Sequence, residues 1–373
     1  MLPDRSAIAD DHDLTLRRWS VADWLSNETA WNALLARSRV DPLFMSWEWL
    51  THWWRCFAGE LGATADILAF YRGDDLVGLA PLYRRRVLRN GMLPVSSVQL
   101  MGLSWRDPGP VISEYLDVVA ADGEAEAVRC ACARTLLEEG AWSEWVIGFT
   151  SAGRHWSDAF AGRGPDRPYV RNLDRSASYQ ADLSHGFPAY LRSLGRSTRR
   201  SLWALRRRLA LQAKVRFESL GPAEIEAGFS DLNRLHQLRW RKEAFGRSRL
   251  VFHTGLANCL VRRGELAASR LRIGGEVVSV LYDIRKGPIQ YNISMGFDPA
   301  FSRKVSLGLI HLGYAMEEAA ACQVTTYDLL AGGGQRSDYK RNLSQSCREL
   351  SCVQVLRGHL LPPLYRWHDR VRS

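Results

Sequence analysis

The chain has 373 residues, 46% of them hydrophobic, which is enough for roughly two domains with buried cores, and it carries a net charge of +10. No apolar run approaches the ~20 residues that span a bilayer, and the acidic start at Asp4, Asp10, Asp11 and Asp13 lacks the basic-then-apolar order of a secretory leader, so a cytoplasmic location is expected. Seven cysteines, at 56, 130, 132, 259, 322, 347 and 352, include no Cys-x-x-Cys pair and no nearby His at ligand spacing, which supports neither a disulfide framework nor a metal site.

Trp47, Trp49, Trp53 and Trp54 crowd one helical span in which 49 and 53 share a face, as core packing requires, with a ring platform for a sugar or base as the other reading. Two β runs, 65–71 and 76–83, then flank Gly73-Asp74-Asp75 as a hairpin. A strand near 97–101, a Gly- and Pro-rich loop to Pro110, a helix over about 125–139 ended by Gly140, and a strand near 145–149 complete the first half. Residues 151–178, with scattered Gly and Pro, read as the connection between halves.

The second half opens on a basic segment. Between Arg192 and Arg216 lie eight Arg and one Lys without an acid, nearly the whole charge excess. Between Phe187 and Leu211 the pattern is helical, with Tyr190, Leu191, Leu194, Leu202, Leu205 and Leu209 available for burial and Arg196, Arg199, Arg200, Arg206, Arg207 and Arg208 elsewhere. Two readings follow from that charge: a surface for an anionic partner, or a solvated helix face with long aliphatic stems. A second hairpin, 266–273 and 277–284 around Gly274-Gly275, reproduces the first as a weak internal repeat.

Next comes a strand at 289–295, broken by Gly296-Phe297-Asp298-Pro299, and then a helix whose apolar stripe is Val305, Leu309, Leu312, Met316 and Ala319, with Ser306 as its cap. His311, Glu317 and Glu318 fall off that stripe, and Cys322 at the helix end reads as core. A strand over 324–330, Gly332-Gly333-Gly334, and Tyr339-Lys340 follow. This order predicts a parallel βαβ unit. The helix start exposes unpaired N–H groups to an anion, Arg303 and Lys304 add charge, and Gly308 keeps a β-carbon out of the way.

Arg303-x-x-Ser306-x-Gly308 resembles the acyl-CoA pyrophosphate loop of the GNAT acyltransferases, with serine where the first glycine is usual. The wider block, with Asp328 ending a strand, the glycine turn and Tyr339-Lys340, resembles the CelD-like (cellulose-biosynthesis-type) branch, a relative of the Fem-type peptidoglycan aminoacyltransferases. Pro42-Leu43-Phe44, Trp47-Glu48-Trp49-Leu50, the basic segment and Leu238-Arg239-Trp240 extend the likeness over most of residues 30–350.

The resemblance implies an α/β (α+β) fold of two tandem GNAT-like domains, each a mixed central sheet flanked by helices. Their expected bounds are 1–175, lacking a cofactor site, and 176–350, binding acyl-CoA, with 351–373 a basic, aromatic tail left without a reading. It further implies acyl transfer from acyl-CoA, acetyl-CoA above all, to an amine or hydroxyl of a small-molecule or saccharide acceptor. Arg303, Lys304, Val305, Ser306, Leu307 and Gly308 would hold the pyrophosphate. Backbone N–H groups of Ser294, Met295 and Gly296 would stabilise the oxyanion. Asp328, His236 or His311 would be the base, Asp328 also reading as a turn-capping carboxylate and the histidines as helix-surface residues, and Tyr339 would protonate the leaving thiolate or simply pack after the glycine turn. Arg239, Trp240 and Lys340 are the acceptor or phosphate contacts. Two other readings stay open: a Fem-like transferase using aminoacyl-tRNA, and a non-catalytic protein that binds an anionic polymer.

Overall fold

The computed structural model describes residues 13–89, 91–161, 168–212, 214–301, 306–331 and 336–372. The chain divides into two compact units, Met1–Arg175 with Leu350–Ser373, and Ser176–Glu349.

In the first unit, β1 (Thr15–Trp19), β2 (Thr64–Arg72), β3 (Asp75–Arg89) and β4 (Leu93–Leu100) pair antiparallel in that order, and the short β5 (Val119–Ala120) pairs with β3. The hairpin turns at Gly73 with φ 61°. A crossover helix, Ala125–Glu139, ends at Gly140 in the left-handed region, and the chain re-enters the sheet as β6 (Glu144–Thr150), parallel to β4. The tryptophan helix, Trp47–Leu61, is capped by Ser46, and Trp49 and Trp53 are buried with their indole N–H groups on Ser113 Oγ and the Val111 carbonyl. Their burial supports core packing over a ring platform.

The second unit has β7 (Tyr169–Asp182), β8 (Val215–Ser219), β9 (Ser269–Ile273), β10 (Glu276–Lys286), β11 (Ile289–Phe297) and β12 (Thr326–Ala331), arranged β7-β12-β11-β10-β9-β8. From β8 to β11 successive strands are antiparallel; β12 is parallel to β11 and antiparallel to β7. The crossover between β11 and β12 contains the helix Leu307–Ala321, so the expected βαβ unit is present. Finally β13 (Ser346–Leu356) pairs antiparallel with β6. Each unit thus runs through four antiparallel strands, a crossover helix, a parallel fifth strand and an antiparallel sixth. The weak repeat in the sequence is a strong one in topology, and the mixed strand pairing of each unit, with flanking helices, matches the expected fold class.

Several expectations need correction. The region 151–178 is more than a connection, since it contains a helix, Gly153–Phe160, and most of β7. Beyond β13 the chain forms the helix Leu361–Arg372, whose Asp369 accepts from the Tyr169 hydroxyl (2.9 Å) and Arg171 Nε (2.7 Å). Cys322 is exposed rather than core.

The basic segment is also not one helix. Phe187–Ser193 stops where Leu194 and Gly195 take extended ψ values of 149° and 150°; Arg196–Arg199, a π turn at Arg200–Ala204 and Leu205–Gln212 follow. The π turn packs against the crossover helix, where an added Cβ on Gly313 would lie 2.6 Å from the Leu202 carbonyl oxygen. Arg206 is buried between the Trp203 and Tyr314 rings, 4.3 and 3.9 Å from their centroids, and pairs with Glu317. It is therefore withdrawn from the solvated face. Among the described residues no helix is long and apolar enough to cross a membrane.

Candidate active site

The crossover helix is buried on most of its circumference: Leu307, Gly308, Ile310, His311, Leu312, Gly313, Ala315, Met316 and Ala319 are all inside. His311, expected at the surface, is fully buried between Ser279 Oγ (2.8 Å) and Ser269 Oγ (3.1 Å), and burial pushes its pKa down to about 3. A neutral imidazole held between two hydroxyls is part of the core, and it does not line the cavity described next.

The parallel ladder between β11 and β12 covers only Ile289–Tyr291. Beyond it β11 continues to Phe297, while β12 kinks at Leu330, a non-glycine residue with φ 59°. The β10–β11 register slips between Tyr282/Ser294 and Asp283/Asn292, leaving Ile293 as a bulge. The strands part, and a cavity of about 650 Å³ opens between them. Its walls are Asn292, Ile293, Ser294, Met295 and Phe297 of β11, and Ala331 of β12. Ser306, Gly308 and Leu309 at the crossover helix start, His236, Arg239 and Trp240 from the helix Ile225–Trp240, and Tyr339 and Lys340 from the helix Arg336–Leu343 complete them. Strand geometry directs alternate backbone groups of 292–297 into this opening instead of a neighbouring strand.

Gly308 is required twice. A Cβ there would meet the Phe297 ring at 2.8 Å, and the position faces the cavity. Ser306 occupies the N-cap position, φ −82°, with no side-chain cap bond, so its hydroxyl is not committed to the helix end. Arg239 lies over Phe297 and Trp240, 4.1 and 4.5 Å from the ring centroids, which puts a cation at the cavity rim. Lys340 Nζ donates to the Leu330 (3.2 Å) and Ala331 (2.8 Å) carbonyls and so holds the end of β12.

The structure therefore gathers His236, Arg239, Trp240, Ser294, Met295, Ser306, Gly308, Tyr339 and Lys340 around one opening. Gly296 and Leu307 do not line it: Gly296 packs against Leu232 and Leu235, and Leu307 is in the core. Arg303, Lys304 and Val305 lie outside the described residues, as do Gly332, Gly333 and Gly334. Asp328 is not in the wall either. It is 1% exposed; Oδ1 accepts from the Leu330 N–H (2.7 Å) and Oδ2 from Gln180 Nε2 (2.9 Å), an arrangement that fixes the kink in β12.

One group behind the wall was not anticipated. Asp283 on β10 is fully buried and accepts from Asn292 Nδ2 (2.7 Å), Gln290 Nε2 (2.9 Å) and the Tyr327 hydroxyl. Burial pushes its pKa up to about 6, against the lowering effect of those three donors. An ionised carboxylate only accepts, so the NH₂ of Asn292 must face Asp283 and its amide oxygen is presented as an acceptor to the cavity. The sequence signal was a lone acid inside the apolar run Val-Val-Ser-Val-Leu-Tyr-Asp-Ile at 277–284.

Residues 196–341 match the GNAT acetyltransferase domain family. No curated protein matches the chain by sequence. Among solved structures, the chain is similar to FemX (TM-score 0.60, 13% identity, 91% of this chain and 98% of that one). It is also similar to the C-terminal domain of a putative lysylphosphatidylglycerol synthetase from Agrobacterium fabrum (0.53, 10%, 90% and 93%) and to L-PGS from Bacillus licheniformis (0.51, 13%, 92% and 96%). At such identities the likeness is one of fold.

Proposed function

We propose that the chain is an acyltransferase that moves an acyl group from acyl-CoA to an amine or hydroxyl in the cavity between β11 and β12. The observation that carries this reading is the parting of two parallel strands beside a glycine-bearing helix start, inside the segment that matches the GNAT domain. The residues fit such a donor. Gly308 leaves the helix start open, and the released edge of β11 offers backbone groups to the amides of a pantetheine arm as an added strand would.

In this reading the helix N-terminus at Ser306 and Gly308 binds the pyrophosphate, and backbone N–H groups near Ser294 and Met295 stabilise the oxygen that gains charge as the acceptor adds to the thioester. His236 takes the acceptor's proton and Tyr339 returns one to the thiolate, so the C–S bond breaks as the new C–N or C–O bond forms. Both side chains line the cavity. Asp328, bonded to Gln180 and the Leu330 amide, is left a structural part, and Arg239 with Trp240 contacts the acceptor at the rim. A CelD-like placing and a saccharide acceptor remain within this proposal.

A thermal-shift and calorimetric panel of acetyl-CoA, longer acyl-CoAs, free CoA and aminoacyl-tRNA tests the donor. Stabilisation by acyl-CoA is expected; a response to aminoacyl-tRNA alone would move the chain to the Fem-like reading.

A further inference from the structure

Residues 176–349 contain 27 Lys and Arg against 15 Asp and Glu, a balance of +12 that exceeds the whole chain's +10. With Arg206 buried and the segment broken, part of that charge gathers at the opposite edge of the second unit's sheet from β7. There a cavity of about 360 Å³ is lined by Lys214, Arg216, Glu218, Arg272, Gly274 and Gly275. Arg216 and Arg272 are registered directly opposite each other on β8 and β9, a like-charge pair that destabilises a sheet unless something neutralises it. The carboxylate present does so only in part, through Arg272 and not through Arg216. Glu218 is already shared by Arg270 (2.7 Å) and Arg272 (3.1 Å), hydrogen bonds that lower its pKa, and Arg270 also pairs with Glu224. Among the described residues, neither Lys214 nor Arg216 has a carboxylate partner, and both are exposed.

The edge is linked to the active-site cavity by one helix. Arg234 Nη2 donates to the Val277 carbonyl (3.1 Å), and Val277 is the residue registered opposite Arg272. Five residues further along the same helix, Arg239 stands at the cavity rim. By strand spacing and helical rise, Arg216, Arg272, Arg234 and Arg239 span roughly 15–20 Å, with Arg234 paired to Asp231 and Arg239 turned about 140° around the helix from it.

From this we infer that the cavity at Lys214, Arg216 and Arg272 is a second anion site, which holds a phosphoryl group of a flexible polyanion. The site is separate from the donor's and does not depend on the donor's identity. Lys214 and Arg216 meet the phosphoryl oxygens, and the glycine turn leaves their approach open, since a Cβ at Gly274 or Gly275 would meet nothing within 4 Å.

The test uses the full chain and a labelled 15-nucleotide single strand as probe, with fluorescence anisotropy followed against KCl. The double variant Lys214→Gln/Arg216→Gln is expected to bind on the order of tenfold more weakly at low salt, with a log–log salt slope shallower by about 1.4, two contacts' worth for a single strand. Its melting temperature should not fall, since a like-charge cross-strand pair is relieved, and its acetyl-CoA affinity should stay at the wild-type value, which separates this site from the donor reading. Glu218→Gln, which removes the cavity's carboxylate, should tighten binding. Displacement of the probe by millimolar inorganic phosphate would retain the phosphoryl site but assign it to the free ion. Wild-type affinity and slope in the double variant, or no binding of probe or phosphate by the native chain, would overturn the inference.

Discussion

Replacing Asp283 by Asn tests whether the carboxylate behind the active-site wall is a stored cost. The ordinary carboxyl titrates near 3.8, and this one is pushed up to about 6. Between those values the native chain holds one proton that the unfolded chain has lost, so stability falls by about 1.4 kcal/mol per pH unit, or about 3 kcal/mol over the window. The contribution is fully present below 3.8 and is lost as the pH rises through 6. Asparagine carries no such term, and its NH₂ can be accommodated if Asn292 turns its amide over. The stability of Asp283→Asn minus that of the native chain should therefore rise by about 3 kcal/mol between pH 4 and pH 7.5 in urea unfolding. His253 and His311, both held down to about 3 by burial, impose the opposite slope below 6.5 on either protein, and that slope cancels in the difference. A difference that stays flat to within about 0.5 kcal/mol would refute the burial argument.

Other outcomes follow from the same geometry. Gly308→Leu fills the helix start and crowds Phe297, and should weaken acetyl-CoA binding by tenfold or more in calorimetry; an unchanged affinity would remove the donor assignment. Gly313→Ala should cost about 1–3 kcal/mol in unfolding, because the obstacle is the Leu202 backbone, while leaving acetyl-CoA affinity intact if the protein is folded. Tyr339→Phe is expected to lower turnover by about 10²-fold at unchanged donor affinity, and equal turnover would dismiss it as the proton donor.

Much of this was legible in the sequence, for local reasons. Gly140 and the residues around Gly73 and Gly274 mark ends and turns through backbone geometry alone, and the strand-helix-strand order around Gly308 fixed a parallel pair. Most of the cavity wall was named in advance because its residues sit at strand and helix ends. What stayed hidden depends on contacts distant in sequence. The bulge at Ile293 reverses which side chains of β11 face the opening, so Asn292 and its partner Asp283 had no periodic signature. Arg206 read as surface because helical periodicity counts positions, whereas the π turn and the rings of Trp203 and Tyr314 decide where it points. Asp328 reads from its place at a strand end as a base or as a turn-capping carboxylate, and only the fold shows that it holds the Leu330 amide.

The way the two units draw their sixth strands limits how this protein can be dissected. β7 is made before the second unit's other strands, and β13 follows them to pair with β6 of the first. A cut between residues 175 and 176 divides β7 and separates β6 from β13. The amino-terminal fragment is left with an open sheet edge at β6, and the carboxy-terminal one with a shortened β7 and with β13 stripped of its β6 partner, each a template for aggregation. Expression of either half as a separate domain would call for a circularly permuted or re-spliced chain.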